Sequence, residues 1–131
     1  MKVLHLKCTI NPHTKRRRGI TPVEGKENTY YSCCWNFPLD KSKELIGGMI
    51  FFHDTKKDKS GLGGIVTDVH PVHMDDPETQ KYVDPIDESD DPKRKERVMF
   101  EFRITKEGRE QKWRGRDDIN SWTSGIIDVD G

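Results

Sequence analysis

The chain has 131 residues, 31% of them hydrophobic and 35% charged, and its 23 basic and 23 acidic side chains give a formal net charge of zero. A chain of this size is expected to form a single domain, residues 1–131, around one modest core. Balanced charge excludes a global field that would draw the protein to nucleic acid or a membrane, so any polyanion binding needs a local basic face.

The charge gathers in two places, a basic cluster at Lys15, Arg16, Arg17 and Arg18 and a mixed tract over residues 75–97. No apolar run approaches the roughly 20 residues that a membrane helix needs. The start, from Met1 to Lys7, carries charges where a signal peptide needs an apolar block. The expectation is a soluble cytoplasmic protein with no membrane association. Its cysteines, Cys8, Cys33 and Cys34, are odd in number, and neighbours in a strand point to opposite faces. All three are therefore expected to be reduced.

Leu4, Leu6, Cys8 and Ile10 alternate with His5, Lys7 and Thr9, the period of a half-buried strand that Asn11 and Pro12 end. A loop rich in Arg, Gly and Pro follows, then a strand over residues 29–37 with Tyr31, Cys33, Trp35 and Phe37 on one face. Residues 38–46 read as the one helix, with proline in its first turn, Asp40 at its positive end and Gly47-Gly48 as its stop. The nearly all-apolar strand 49–53 reads as central and forms a hairpin with 65–72. An acidic, proline-rich surface loop is expected over about residues 73–96. The cleanest strand follows: Val98, Phe100, Phe102 and Ile104 point inward while Arg97, Glu101 and Arg103 point outward. Trp113 is placed in a short strand, and Ile126, Ile127 and Val129 in a last one. These elements predict a mainly β chain (β-rich α+β), a small barrel or strongly curved sheet with one short helix after the second strand.

No motif for a known chemistry is complete. His53, His70 and His73 fall near one another in the expected hairpin, but they lack metal-site spacing, so no metal and no cofactor is expected. Gly61-Leu62-Gly63-Gly64 lacks the lysine and helix of a phosphate loop. Residues 112–122 are the most unusual stretch, placing Trp113, Arg114, Arg116, Asp117, Asp118 and Trp122 together. Arginine forks recognise phosphate or carboxylate, and indoles stack on bases or cations. The competing reading makes the tryptophans a barrel plug and pairs the arginines with the aspartates.

The strand–helix–Gly-Gly–strand order over residues 30–53, with Gly64-Ile65-Val66-Thr67-Asp68-Val69 after it, resembles the PUA-like superfamily. It is most similar to the EVE and ASCH branches, over about residues 29–104. Gly47-Gly48 stands where EVE proteins usually have Gly-Asp, and neither residues 1–28 nor the Trp113–Trp122 stretch has a counterpart there. The resemblance implies a pseudo-barrel that binds RNA or a modified base in an aromatic-lined pocket without catalysis. It places Ser32, Trp35 and Asn36 in that pocket.

The expected function is thus a non-catalytic binding domain for nucleic acid, whether RNA or modified DNA, or for a nucleotide-like ligand. Trp35, Trp113 or Trp122 stacks on the base, Ser32 and Asn36 read its edge, Arg114 and Arg116 hold phosphate beside Asp117, and Lys15, Arg16, Arg17 and Arg18 attract the backbone. The alternatives are a small metal-dependent nuclease or hydrolase using Asp117, Asp118 and a histidine, and a protein-interaction module.

Overall fold

The computed structural model describes residues 1–10, 12, 13, 15, 17–82, 95–115 and 123–129. The strands are β1 (Lys2–Lys7), β2 (Ile20–Pro22), β3 (Thr29–Trp35), β4 (Met49–His53), β5 (Leu62–His73), β6 (Glu96–Ile104) and β7 (Thr123–Asp128). Two short helices, α1 (Leu39–Lys43) and α2 (Pro77–Gln80), and a 3-10 turn at Lys106–Gly108 complete the described elements. The strands form one mixed sheet in the order β2-β3-β6-β5-β4-β1-β7, in which only β1 and β4 run parallel. The chain is mainly β, as its alternation predicts. Among the described residues no helix is long and apolar enough to cross a membrane.

The principal core lies on one face of the sheet. Leu4 and Leu6 of β1, Ile50 and Phe52 of β4, Val66 and Val69 of β5, and Val98, Phe100 and Phe102 of β6 meet there, with Leu45 from the turn after α1. The rings of Phe52 and Phe102 lie 5.1 Å apart, centroid to centroid, although β5 runs between their strands. The sheet therefore bends around its own core. Gly47, at φ +88°, ends the helical turn as its sequence predicts, and Gly48 packs so closely on the Lys2 carbonyl that a Cβ has no room. Backbone bonds from Gly47 to Val66 (2.8 Å) and from Val66 to Gly48 (2.9 Å) then fix the entry into β4.

Several expectations change. The outward residues of β6 do face away from the core, but Arg97 and Glu101 are only 3% and 5% exposed, and Met99 is buried as well. The outer face is covered too: Glu101 accepts hydrogen bonds from Thr67 (2.6 Å) and Lys26 (3.3 Å), and Tyr82 packs edge-on against Tyr31. The acidic tract begins with structure rather than loop, since Asp76 caps α2 by accepting from the Glu78 amide. Trp113 lies in an irregular segment, not a strand. Cys33 and Cys34 are joined by a disulfide, against the expectation of reduced thiols. The alternation that would separate them breaks there, where their peptide bond is cis and the pairing with β6 shifts register between Ser32 and Trp35.

Candidate functional site

The opposite face of β1 and β4 carries a second apolar cluster of Val3, Met49 and Phe51, against which Ile65, Ile127 and Val129 pack. The parallel register sets His5 beside Phe51 and Lys7 beside His53. On the other side of β1, pairing with β7 slips between Leu4 and Leu6, so the His5 amide donates to the Ser124 hydroxyl (3.0 Å) instead of a carbonyl. That irregularity is a common means of re-aiming a side chain. The His5 ring stacks on Phe51 at 4.8 Å and leans on Trp113 at 5.7 Å, while Trp113 meets His53 edge-on at 5.1 Å.

The two histidines form a chain of hydrogen bonds whose protons can be assigned. Nδ1 of His53 lies 2.9 Å from the Asp58 carbonyl, which only accepts, so this nitrogen carries the proton. Its Nε2 is then a lone pair, and 2.7 Å away stands Nδ1 of His5, which must donate. In a neutral ring that leaves Nε2 of His5 bare. Both rings are neutral near pH 7. Burial, then the nearby His53 and Arg114, push His5 down from 6.5 to about 3, and burial likewise lowers His53. His5 is 1% exposed, and its Nε2, closed to solvent, has no hydrogen-bond partner among the described residues. A buried polar atom left this way costs free energy unless something pairs with it.

His5 forms part of the wall of a cavity of about 550 Å³ floored by Val3, Met49, Phe51 and Ile65. Thr105, Glu107, Gln111 and Arg114 stand among its polar lining, and the Thr105 hydroxyl, itself closed to solvent, has no hydrogen-bond partner among the described residues. Two close contacts hold this rim. Gly63 and Gly108 meet backbone to backbone with no space for a Cβ, and Ser60 donates to the Gly108 carbonyl (2.8 Å) while its amide donates to the Gln111 carbonyl (2.8 Å). Arg114 is exposed and forms no ion pair among the described residues. Lys56 sits 5.6 Å over the Trp113 ring.

The expected site residues fall into separate places. Trp113 and Arg114 belong to this site, Trp113 behind the histidines and Arg114 on the rim. Ser32 is fully buried and accepts from the Trp35 indole (2.8 Å), and Trp35 packs on the principal core, so the structure does not bring them to Trp113. Asn36 borders a different groove, between the start of α1 and the far ends of β5 and β6. Arg17 is drawn inward: only 9% of its side chain is exposed, and it donates to the Cys8 carbonyl (2.6 Å) and Asp54 (2.9 Å). Arg18 bonds Thr9 (3.2 Å), whereas Lys15 is exposed. Arg16, Arg116, Asp117 and Trp122 lie outside the described residues.

His53 does not join His70 and His73. The β4–β5 register pairs Phe52 with Leu62 and Met49 with Ile65, which sends His70 and His73 past the opposite end of β4. No group of three metal-ligating side chains occurs among the described residues. His5 itself escaped sequence reasoning because it sits in the polar phase of β1. The available signal was β4, apolar at nearly every position; a strand buried on both faces requires its neighbour's second phase to be covered as well. Comparison with known proteins finds no matching family model, no matching curated protein and no matching solved structure.

Proposed function

We propose that this protein binds a base or nucleotide-like ligand, free or presented by RNA or modified DNA, in the cavity beside His5, and does so without catalysis. The observation that carries the reading is the cavity itself, apolar over Val3, Met49, Phe51 and Ile65, with Arg114, which forms no ion pair among the described residues, in its lining. Small-ligand sites have this composition, with apolar walls and a few convergent polar groups, and about 550 Å³ suits one base with its sugar rather than a stacked strand. Phe51 and Met49 offer the flat apolar surface, Arg114 a partner for phosphate, and Lys15 a weak attraction for a longer chain.

The protonation of His5 favours binding over catalysis. A general base works best with a pKa near the operating pH, and a ring held near 3 is a poor proton acceptor at pH 7. Thermal melts of the full chain with each of the four nucleoside monophosphates and a short single-stranded RNA test the reading. At least one should raise the melting temperature in a concentration-dependent way, because a ligand that binds only the folded state stabilises it by mass action. Unchanged melting with all of them at millimolar concentration would refute it.

A further inference from the structure

Apart from His5, the polar side chains of the cavity lining, Thr105, Glu107, Gln111 and Arg114, all come from residues 105–114. That stretch is a strap across the second face of the sheet. It starts on β5, where the Thr105 amide donates to the Gly63 carbonyl (3.2 Å) and Gly108 meets Gly63. It reaches β7 at Gly115, so close to Ser124 that an added Cβ would stand 2.9 Å from it. Between those strands lie β1 and β4, whose His5 and His53 meet the Trp113 ring.

One residue pins the middle of the strap. The Ser60 hydroxyl donates to the Gly108 carbonyl (2.8 Å) and accepts from the Gln111 amide (3.1 Å). Its amide donates to the Gln111 carbonyl (2.8 Å), and its carbonyl accepts from the Glu110 amide (2.8 Å). Every hydrogen-bonding group of Ser60, a residue only 2% exposed, is thus used on residues 108–111. The next amide, of Gly61, donates to the Phe52 carbonyl (3.0 Å) and so ties this clamp to β4. Glu110 takes φ +64°, a left-handed conformation that a residue with a side chain rarely adopts, so the bonds to Ser60 impose the strap's course against local preference. We infer that Ser60 is the positioning residue of the cavity, an inference that rests on the base-binding reading above. Ser60 lies outside the lining and acts through Gln111, whose two backbone groups it fixes. Without the hydroxyl, the Gln111 amide and the Gly108 carbonyl lose a buried partner, and a ligand has to order the strap as it binds.

Isothermal titration of the full chain with the four nucleoside 5′-monophosphates tests this, using the unaltered protein, Ser60→Ala and Ser60→Thr well below their melting temperatures, where lost stability alone leaves affinity unchanged. Ser60→Ala should bind the preferred nucleotide at least about fivefold more weakly, and Ser60→Thr, which keeps the hydroxyl, within about twofold of the unaltered protein. Ser60→Ala binding as tightly as the unaltered protein would overturn the positioning role. Because substitutions of a buried residue can prevent folding, amide hydrogen exchange of the unaltered protein gives a second readout. The Glu110 and Gln111 amides should exchange by local opening, faster than the amides of β4, and nucleotide at ten times its dissociation constant should slow them about tenfold. If a nucleotide binds and these two amides exchange as before, the positioning role is overturned while base binding stands. If none of the four nucleotides binds the unaltered protein, the base-binding reading falls and this inference with it.

Discussion

Lowering the pH should destabilise this protein well before its carboxylates titrate, and His5 should account for much of the loss. In the unfolded chain His5 titrates near 6.5; in the folded protein burial, then His53 and Arg114, hold it near 3. A histidine kept neutral contributes its stability in full above 6.5. As the pH falls from 6.5 toward 3 the unfolded chain takes up the proton and the folded one does not, so the stability drains away over that window. Each pH unit is worth about 1.4 kcal/mol, which makes roughly 2 kcal/mol between pH 6.5 and 5. His53, shifted in the same direction by burial, adds to it. Against a typical total of about 5–15 kcal/mol this is easily measured. Urea unfolding at pH 7.5, 6.5, 5.5 and 5 should show that fall, and in His5→Phe the slope should flatten even though the variant starts lower, with the His53 Nε2 left unpaired. Matching pH slopes for the two proteins would refute the neutral, buried His5.

Three further outcomes follow from the packing. Gly108→Ala should cost about 3 kcal/mol in denaturant unfolding, because its Cβ would collide with the Gly63 backbone, whereas Gly47→Ala, with open space around it, should lose only the roughly 1 kcal/mol of its left-handed φ. Trp113→Ala should lower stability by about 2 kcal/mol, less than the 3–5 of a fully buried aromatic since this indole is half-buried, and nuclear magnetic resonance titration should show the His5 pKa rising as water reaches the ring. Arg114→Ala should leave the melting temperature within about a degree, as exposed charges contribute little, yet weaken nucleotide monophosphate binding at least about fivefold by titration calorimetry.

Much of the framework was legible because it follows from single-strand periodicity. Val98, Phe100 and Phe102 alternate, and β6 buries all three; Met49 to His53 is apolar on both faces, and β4 is an interior strand paired on both sides. What alternation cannot reveal is cover supplied from elsewhere in the chain. Arg97 and Glu101 read as solvent-facing because nothing local announces that Thr67, Lys26 and Tyr82 close over that face. The same limit hid His5, whose burial needs Phe51, His53 and Trp113, all more than forty positions away in the sequence. The tryptophan–arginine segment was legible as unusual in composition; it sets Trp113 against His5 and His53, and Arg114 in the lining of the neighbouring cavity. Its expected partners Ser32 and Trp35 could not be excluded from the sequence alone, because whether they share a concavity with Trp113 depends on sheet order. Arg17 shows the reverse: a basic cluster reads as a polyanion surface, but the Cys8 carbonyl and the exposed Asp54 carboxylate claim this member of it.

The claim on which the account turns is that a nucleotide-like ligand enters the cavity whose wall includes the neutral, buried His5. Histidine ring nitrogen spectra recorded at pH 7, before and after adding each of the four nucleoside 5′-monophosphates, test it most directly. The account predicts an unprotonated His5 Nε2 in the free protein that shifts on nucleotide addition, while the nitrogens of His70 and His73 stay where they are. A protonated Nε2 in the free protein, or nucleotide binding that leaves the His5 ring unmoved, would contradict it.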